Sequence, residues 1–343
     1  MFLGIDYPTW WFLVVGGLFS GYAILDGFDF GAGAWHLFFR KEENRRIALN
    51  AIGPVWDGNE VWLVIGGGAL FAGFPVMYAT FFSSLYIPFM LFLLNIILRA
   101  IAIEFRGKEP MLWWRRTWDV IYSISSILLA FLLGVVIGNV LRGIQIGPNY
   151  QYQGDGFFEF LNPYALLTGF TTLTLFMVHG ANYLLLKTEG RLYAKLQLLL
   201  KKGIIAFILS FAITTLYTLI FIEHLTVVFK ENPILFIVPV VVFLSVANIP
   251  RNVKKKRYLF AFLSSSMVTA FLLMLVFLQQ YPVLLPSTLN EAFDLTVHNS
   301  ASSPKTLKLL LIITAIGAPL SGVYFFLVYK TFRGKVKLDD MSY

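Results

Sequence analysis

The sequence predicts an all-α membrane protein with nine transmembrane helices, and three observations lead to that fold class. Hydrophobic residues make up 58% of the 343-residue chain and charged residues only 13%, whereas soluble domains carry roughly 25% charged residues. Several apolar runs reach about 20 residues, which is enough to cross a hydrocarbon core of roughly 30 Å. The basic residues are concentrated in alternate connections between these runs, as the positive-inside rule describes.

The order of apolar and basic segments predicts the topology. The connections after the odd-numbered segments contain 22 of the 27 Lys and Arg residues, the opposite side contains four, and Arg99 lies within a segment. We therefore expect an outside N-terminus and a cytoplasmic C-terminus. The N-terminus lacks the basic region and cleavage site of a signal peptide, so we expect it to begin a retained first helix. The nine segments are residues 10–38, 54–73, 76–103, 119–141, 163–186, 203–223, 233–249, 258–280 and 307–330.

The composition also excludes several kinds of site. The chain has no cysteine, which rules out disulfides, thiolate metal sites and iron–sulfur clusters. Its net charge of +8 and pI near 9.5 come from the basic connections, which we interpret as topology signals and contacts for anionic membrane lipids. No aromatic-interleaved soluble segment is present to bind nucleic acid, so we expect no nucleic-acid partner.

Two pairs of acidic residues occur in the first two predicted helices, where lipid would otherwise be expected. Asp26 and Asp29 form one pair, and Asp57 and Glu60 form the other. Residues three positions apart share a helix face, so each helix is expected to present one acidic face. Carboxylates within a membrane are costly and usually mark an ion path, a proton relay or a buried partner.

The predicted topology brings these acids to one level near the cytoplasm. Arg99 and Glu104 lie at the same depth at the end of the third segment, and Asp119 opens the fourth. Two interpretations stay open. The cluster is either a proton entry or a structural network in which Arg99 neutralises Asp29 or Glu104. Asp57 and Asp119 are also well placed to interact with helix N-termini.

The histidines argue against a haem bound by this chain. Of His36, His179, His224 and His298, only His179 lies deep within a predicted span. A b-type haem commonly needs two axial ligands, so we expect His179 to be a hydrogen-bonded packing residue. No phosphate-binding, dinucleotide-binding or zinc-helix motif occurs.

Several stretches closely resemble one known family. They are LDGFDFGAG (25–33), RRIALNAIGPVWDGNEVWLVIGGGALFAGFPVMYA (45–79), ILRA (97–100), IGNVLRG (137–143), LNPYALLTG (161–169) and LPSTLNEAFDLTVHNSASSPKTLKL (285–309). The block WDGNEVWL is the most specific of them. The family is subunit II of the cytochrome bd quinol oxidases, membrane enzymes of prokaryotes.

This resemblance implies a fold and a set of partners. The fold would be two four-helix bundles, about 1–141 and 163–280, with a peripheral ninth helix at 307–330. The chain itself would bind no cofactor and would pair with subunit I, which holds two b-type haems, one d-type haem and the quinol site. A small single-helix subunit joins some such complexes. The complex would oxidise quinol and reduce O2 to water with cytoplasmic protons, generating a membrane potential without pumping.

The resemblance also implies roles for individual residues. Asp57 matches the position proposed for the proton route, with Glu60, Asp26, Asp29 and Glu104 as its acidic neighbours and Arg99 as their charge partner. Trp62 would line a path for O2, and Trp56 precedes it in the same block at the expected subunit interface. No residue of this chain is expected to be catalytic, to bind a metal or to ligate haem.

An alternative from another class is an independent proton-coupled transporter. Such a protein needs polar groups that reach the membrane midplane from both sides. The outer halves of the first four predicted spans contain no charged residue, which favours the oxidase subunit.

Overall fold

The computed structural model describes residues 3–222 and 224–338, and these fold almost entirely into helices. Short 3-10 turns and two short antiparallel strands, β1 (Val283–Leu285) and β2 (Leu295–Thr296), interrupt the helical chain. The α-helices are α1 (Tyr7–His36), α2 (Glu42–Ile52), α3 (Trp56–Gly73), α4 (Pro75–Ser84), α5 (Tyr86–Phe105), α6 (Leu112–Arg142), α7 (Pro163–Lys187), α8 (Gly190–Phe221), α9 (His224–Glu231), α10 (Ile237–Lys254), α11 (Tyr258–Gln280) and α12 (Pro304–Thr331).

Eight helices in the described part of the chain are long and apolar enough to cross a membrane, which confirms the all-α membrane class. They are α1, α5, α6, α7, α8, α10 with its preceding 3-10 turn, α11 and α12. The second predicted span, residues 54–73, corresponds to α3, whose 18 residues begin with two acids in the first two turns. The predicted end of the sixth span, residue 223, lies outside the described residues.

The third predicted span is two helices rather than one. Pro75 begins α4, and a proline disfavours helical dihedrals at the preceding residue, so Phe74 (φ −130°, ψ 63°) separates α3 from α4. A second break at Leu85 (φ −91°, ψ 28°) separates the ten-residue α4 from α5. Hydropathy alone does not resolve this break, because α4 and α5 are both apolar.

Several helices extend beyond the hydrophobic segments. Helix α8 begins at Gly190, 13 residues before the predicted span, because Leu192, Leu196, Leu199 and Leu200 recur at helical spacing and are buried. Helix α2 does not correspond to any predicted segment. It is amphipathic, and its apolar side packs against the core. Basic connections that look like loops in a hydropathy profile are therefore partly helical.

Helix α1 lies at the centre of the molecule and packs against α3, α6, α7 and α11. The contact with α7 is close, since a side chain at Gly31 would collide with the backbone carbonyl of Phe176 and with Gly180. This close packing places the acidic turn of α1 in the interior of the helix assembly. Asp26 and Asp29 are consequently fully buried.

Helix α12 lies at the surface of the described helices, where it is attached by apolar contacts such as those of Leu307 and Phe325 and by polar contacts at its C-terminal end. No residue in its most apolar 18-residue stretch is buried. Beyond it, Lys335 Nζ donates to the carbonyls of Leu185 (3.1 Å) and Thr188 (2.9 Å) at the end of α7. Lys187 Nζ donates in return to the Phe332 carbonyl (2.5 Å). These cations satisfy carbonyls that a helix end leaves without partners.

The two connections predicted as outside loops, 142–162 and 281–306, form one structured layer over the opposite end of the helices. The strands β1 and β2 pair there, and Ile144 pairs with Ser287 across the two connections. Phe160, Leu285 and Leu295 are buried beneath them. This layer closes the helix assembly on the predicted outer side.

Candidate functional site

A buried group of polar side chains occupies the space between α1, α3 and α5. We call Asp26, Asp29, Asn59, Glu60 and Arg99 the inner cluster. Arg99 binds Asp26 through both carboxylate oxygens, with Nη2–Oδ1 and Nη1–Oδ2 distances of 2.6 and 3.1 Å. Both side chains are 0% exposed. A buried ion pair of this kind compensates charges that would be costly alone.

Arg99 has further partners around this pair. Its Nη1 lies 4.0 Å from Glu60 Oε2, and its guanidinium carbon lies 4.4 Å from the centre of the Phe30 ring. The sequence suggested Asp29 or Glu104 as the residue that Arg99 neutralises, but its bidentate partner is Asp26. One arginine therefore stands among three carboxylates, so the inner cluster carries more acidic than basic groups.

Asp29 is held by an amide rather than by the arginine. Asn59 Nδ2 donates to Asp29 Oδ2 (2.8 Å) and to the Leu25 carbonyl (3.2 Å). Asn59 Oδ1 accepts from the Tyr329 hydroxyl (3.0 Å) on α12. Asn59 thus links α1, α3 and α12, and nothing in the sequence pattern singles it out beyond its place between Asp57 and Glu60.

Glu60 faces a large apolar cavity. The cavity has a volume of about 540 Å³ and extends from Tyr22 and Glu60 past Phe12 to Gln280 and Leu284 near the outer layer. Its walls are mainly apolar, so the acidic groups are confined to one end. Along this cavity, the described residues do not continue the inner cluster as a charged path towards the layer formed by residues 142–162 and 281–306.

A second buried network lies closer to the predicted cytoplasmic side. Asp119 accepts from His36 Nε2 (2.5 Å), Arg106 Nε (2.6 Å) and Arg45 Nη1 (2.8 Å). Arg106 also binds Glu42 at the start of α2 (2.9 Å). We call these five residues the α2 network, since they fasten α2 to α1, α5 and α6. Asp119 lies two turns inside α6, so it is not the helix-opening residue that the predicted span suggested.

The remaining predicted site residues differ in how far they are exposed. Asp57 is exposed in the first turn of α3, and Glu104 is partly exposed near the end of α5. Trp56 is buried in the core. Trp62 is partly buried, and its ring centre lies 5.6 Å from that of Phe325 on α12.

A surface groove runs between α1, α3 and α12. It has a volume of about 480 Å³, and its lining includes Leu25, Trp62 and Tyr329 with Lys330 and Arg333 at one end. Two of these lining residues also contact Asn59 on the inner side, Leu25 through its carbonyl and Tyr329 through its hydroxyl. Only the groove wall therefore separates the surface from the inner cluster at this point.

The histidine deep in the helices is accounted for by hydrogen bonds. His179 Nε2 donates to the Ile24 carbonyl (3.0 Å), and Nδ1 lies 2.7 Å from Ser265 Oγ. Its ring stacks on Phe262 at a centroid distance of 4.6 Å. Within the described ranges, no group of three or more His, Cys, Asp or Glu residues is arranged to hold a metal ion.

Comparison with known proteins decides the family. The family described as "Cytochrome bd terminal oxidase subunit II" matches residues 7–332. The chain belongs to this family. It is therefore part of a quinol:oxygen oxidoreductase complex of the prokaryotic plasma membrane, which confirms the resemblance found in the sequence.

Individual relatives of this subunit II cover nearly the whole chain. The "Cytochrome bd ubiquinol oxidase subunit 2" of Bacillus subtilis is 35% identical over 305 residues, 88% of each chain. The "Cytochrome bd-I ubiquinol oxidase subunit 2" of Escherichia coli is 29% identical over 373 aligned positions, 98% of each chain. The "Probable cytochrome oxidase subunit 2" of Haemophilus influenzae is 32% identical and covers 97% of this chain and 96% of its own.

A solved structure shares the fold. A chain of the bd oxidase from Geobacillus thermodenitrificans superposes with a TM-score of 0.77 at 19% identity. The match covers 95% of this subunit II and 98% of that chain. The likeness supports the arrangement of helices described above.

Proposed function

We propose that this subunit II scaffolds a haem-bearing subunit I and contributes a proton route from the cytoplasmic side to the site of O2 reduction. Quinol oxidation would supply electrons, O2 would be reduced to water, and the charge separation would generate a membrane potential without pumping. Two b-type haems and one d-type haem would reside in subunit I, with no cofactor bound by this chain. A small single-helix subunit and membrane lipids complete the expected set of partners.

The observation that carries the proton route is the graded burial of the acids. Asp57 is exposed, the Glu60 side chain one turn further along α3 is 17% exposed, and Asp26 and Asp29 are 0% exposed. The acids therefore lead from the surface towards the interior within a short distance. Ionisable groups placed this way within a membrane are typical of proton relays.

The structural interpretation accounts for part of the cluster. Asp26 is fully engaged by Arg99, so its carboxylate serves a buried ion pair. Asp29 and Glu60 have weaker or more distant contacts with Arg99, and they are the acids we assign to proton transfer together with Asp57. Glu104, near the end of α5, is assigned a place at the cytoplasmic entrance of the route.

The same proposal includes the topology and the path for O2. We propose nine spans, formed by the eight apolar helices and α3, in two four-helix bundles with α12 outside them. The N-terminus would face outside and the C-terminus the cytoplasm. Trp62 in the surface groove would line the O2 path, with Trp56 behind it in the core.

The proton route is tested with Asp57→Asn, Asp29→Asn and Glu60→Gln in the complete oxidase. We expect quinol-dependent O2 consumption to fall by about 100-fold or more, the lower end of the range typical of lost acid–base groups, while the haem spectrum is retained. Loss of the haems together with activity would instead assign the residue to the fold. Wild-type turnover in all three variants would refute the route.

Membership of the oxidase family overturns the transporter alternative, which also needs polar groups reaching the midplane from both sides. Purification from native membranes tests the proposed pairing with subunit I. Co-isolation with a haem-bearing subunit and visible absorbance supports the pairing, whereas a colourless protein that isolates alone would refute it.

A further inference from the structure

We propose that Asn59 is a positioning residue for proton transfer at Asp29. It holds the Asp29 carboxylate by Oδ2 and leaves Oδ1 as the oxygen that takes up and releases the proton. This inference rests on the proposed proton route, and it assigns a role to a residue that carries no charge. It also assigns α12 a part in the route through Tyr329.

The orientation of the Asn59 amide follows from its neighbours. Two pure acceptors, Asp29 Oδ2 and the Leu25 carbonyl, lie 2.8 and 3.2 Å from Nδ2. A flipped amide would set its carbonyl oxygen against both acceptors, so the amino group must face them. The Tyr329 hydroxyl, 3.0 Å from Oδ1, completes the arrangement because it can donate to that oxygen.

Burial makes this arrangement rigid. Asn59 and Asp29 are both 0% exposed, and each of the three hydrogen bonds of the amide joins α3 to another helix, two to α1 and one to α12. Leu25 and Asp29 share a helix face one turn apart on α1, which matches the reach of a single amide group. Asn59 therefore has one orientation available, and Asp29 is held with it.

The two oxygens of Asp29 differ as a result. Oδ2 accepts a hydrogen bond, whereas Oδ1 is buried without a hydrogen-bond partner among the described residues. A buried polar atom without a partner is costly, and such atoms in native proteins often mark a functional role or a bound water. A proton that reaches Asp29 would bind Oδ1, converting the carboxylate to a neutral acid. It would leave from the same atom towards subunit I, restoring the carboxylate.

Tyr329 connects this site to the surface groove. Its ring lines the groove, while its hydroxyl points to Asn59. Lys335, six residues further along, fastens the end of α12 to α7 and thereby holds Tyr329 in register. Through the Tyr329 hydroxyl, α12 thus fixes the orientation of the Asn59 amide, and this amide in turn holds the Asp29 carboxylate.

The test compares Asn59→Leu with Asn95→Leu in the complete oxidase. Asn95 is a matched control, because it is also buried, but its amide donates to Leu91 on its own helix. We expect Asn59→Leu to lower turnover by about tenfold, since small losses of orientation in proton transfer have effects of this size or larger. Asn95→Leu is expected to keep wild-type turnover.

Two further readouts separate positioning from mere stability. The carboxyl C=O band of Asp29, identified in infrared difference spectra by its loss in Asp29→Asn, should shift in Asn59→Leu. The solvent deuterium isotope effect on turnover should rise, because proton transfer becomes limiting. Tyr329→Phe removes a single hydroxyl and should shift the same band by less. It provides the decisive variant if Asn59→Leu fails to assemble with haem.

The outcomes distinguish the inference from the proposed function. Wild-type turnover and an unshifted band in Asn59→Leu would overturn the inference. If that variant does not assemble, the same result in Tyr329→Phe would overturn it. A low activity of Asp29→Asn would still support the proton route in either case. Wild-type turnover in Asp29→Asn would overturn the role of Asp29 in the proton route and the inference together. An equal loss of turnover in Asn95→Leu would also overturn the inference, since the effect would not be specific to the amide that holds Asp29.

Discussion

Replacing Arg99 with methionine is expected to destabilise the helix assembly more than any substitution on the surface. Methionine retains much of the length of the side chain but leaves Asp26 without its bidentate partner at 2.6 and 3.1 Å. Removal of one partner from a buried ion pair typically costs about 3–5 kcal/mol. Glu60 lies 4.0 Å from the same guanidinium, so a second acid also loses its counter-charge. We therefore expect about 4 kcal/mol or more in the free energy of unfolding.

The paired variant makes this reasoning refutable. In Arg99→Met with Asp26→Asn, the carboxylate that was left uncompensated is gone, so we expect about 2 kcal/mol of the loss to be recovered through coupling between the two sites. Unfolding in mixed micelles, titrated with a denaturing detergent and followed by circular dichroism, measures all four members of the cycle. A cost under about 1 kcal/mol for Arg99→Met, or strictly additive losses, would show that the pair behaves like an exposed one.

Three further predictions concern side chains that cap or fasten helices. Asp6 caps α1 by accepting from the Thr9 amide, so Asp6→Ala should cost about 1 kcal/mol and Asp6→Asn much less, as measured by thermal unfolding. Burial acts to raise the pKa of Asp6, but the hydrogen bonds from Thr9 lower this pKa overall. The stability that Asp6 contributes should therefore be fully present at pH values above the ordinary Asp pKa, and it should be lost as the pH falls through the lowered pKa. Asp119→Asn should release α2, seen as faster amide hydrogen exchange over Glu42–Ile52, because the cations of the α2 network lose their shared acceptor. Lys335→Ala should increase proteolysis at the end of α12, whereas Lys337→Ala, an exposed lysine two residues on, should not.

Under the proposed proton route, the inner cluster would combine the two interpretations that the sequence left open. Asp26 and Arg99 form a stabilising pair, while Asp29 is held by a neutral amide and retains an oxygen without a hydrogen-bond partner among the described residues. A relay needs an acid that changes charge during turnover, and a rigid ion pair resists that change. Separate acids one turn apart on α1 can therefore serve the fold and the proton route at the same time.

The α2 network shows how a connection that is predicted to be cytoplasmic becomes part of the helix assembly. Four of its members, His36, Arg45, Arg106 and Asp119, come from α1, α2, the end of α5 and α6. The side chains of the first three converge on the Asp119 carboxylate, so movement of α2 would disturb all of these helices. The position of α2 is therefore coupled to α1, the helix that carries Asp26 and Asp29.

Local patterns in the sequence determined the class, the main helices and the acidic faces. Apolar runs of membrane length and acids three residues apart are properties of a few neighbouring residues, and hydrophobicity and helix geometry act on them directly. The family motif around WDGNEVWL is likewise a continuous stretch, so the family is predictable from the order of residues alone. The amphipathic α2 and the long start of α8 were missed because their burial depends on a core formed elsewhere in the chain.

Only the tertiary structure decided which of the acids is paired and which has an oxygen available. Asp26 and Asp29 are equivalent in the sequence, yet close packing of α1 turns one towards Arg99, 73 positions away, and the other towards Asn59. Asp57 has the same local pattern and remains exposed. Helix periodicity predicts which residues share a face. The residues that this face contacts depend on how helices distant in the sequence pack, and those contacts determine whether a buried charge is compensated.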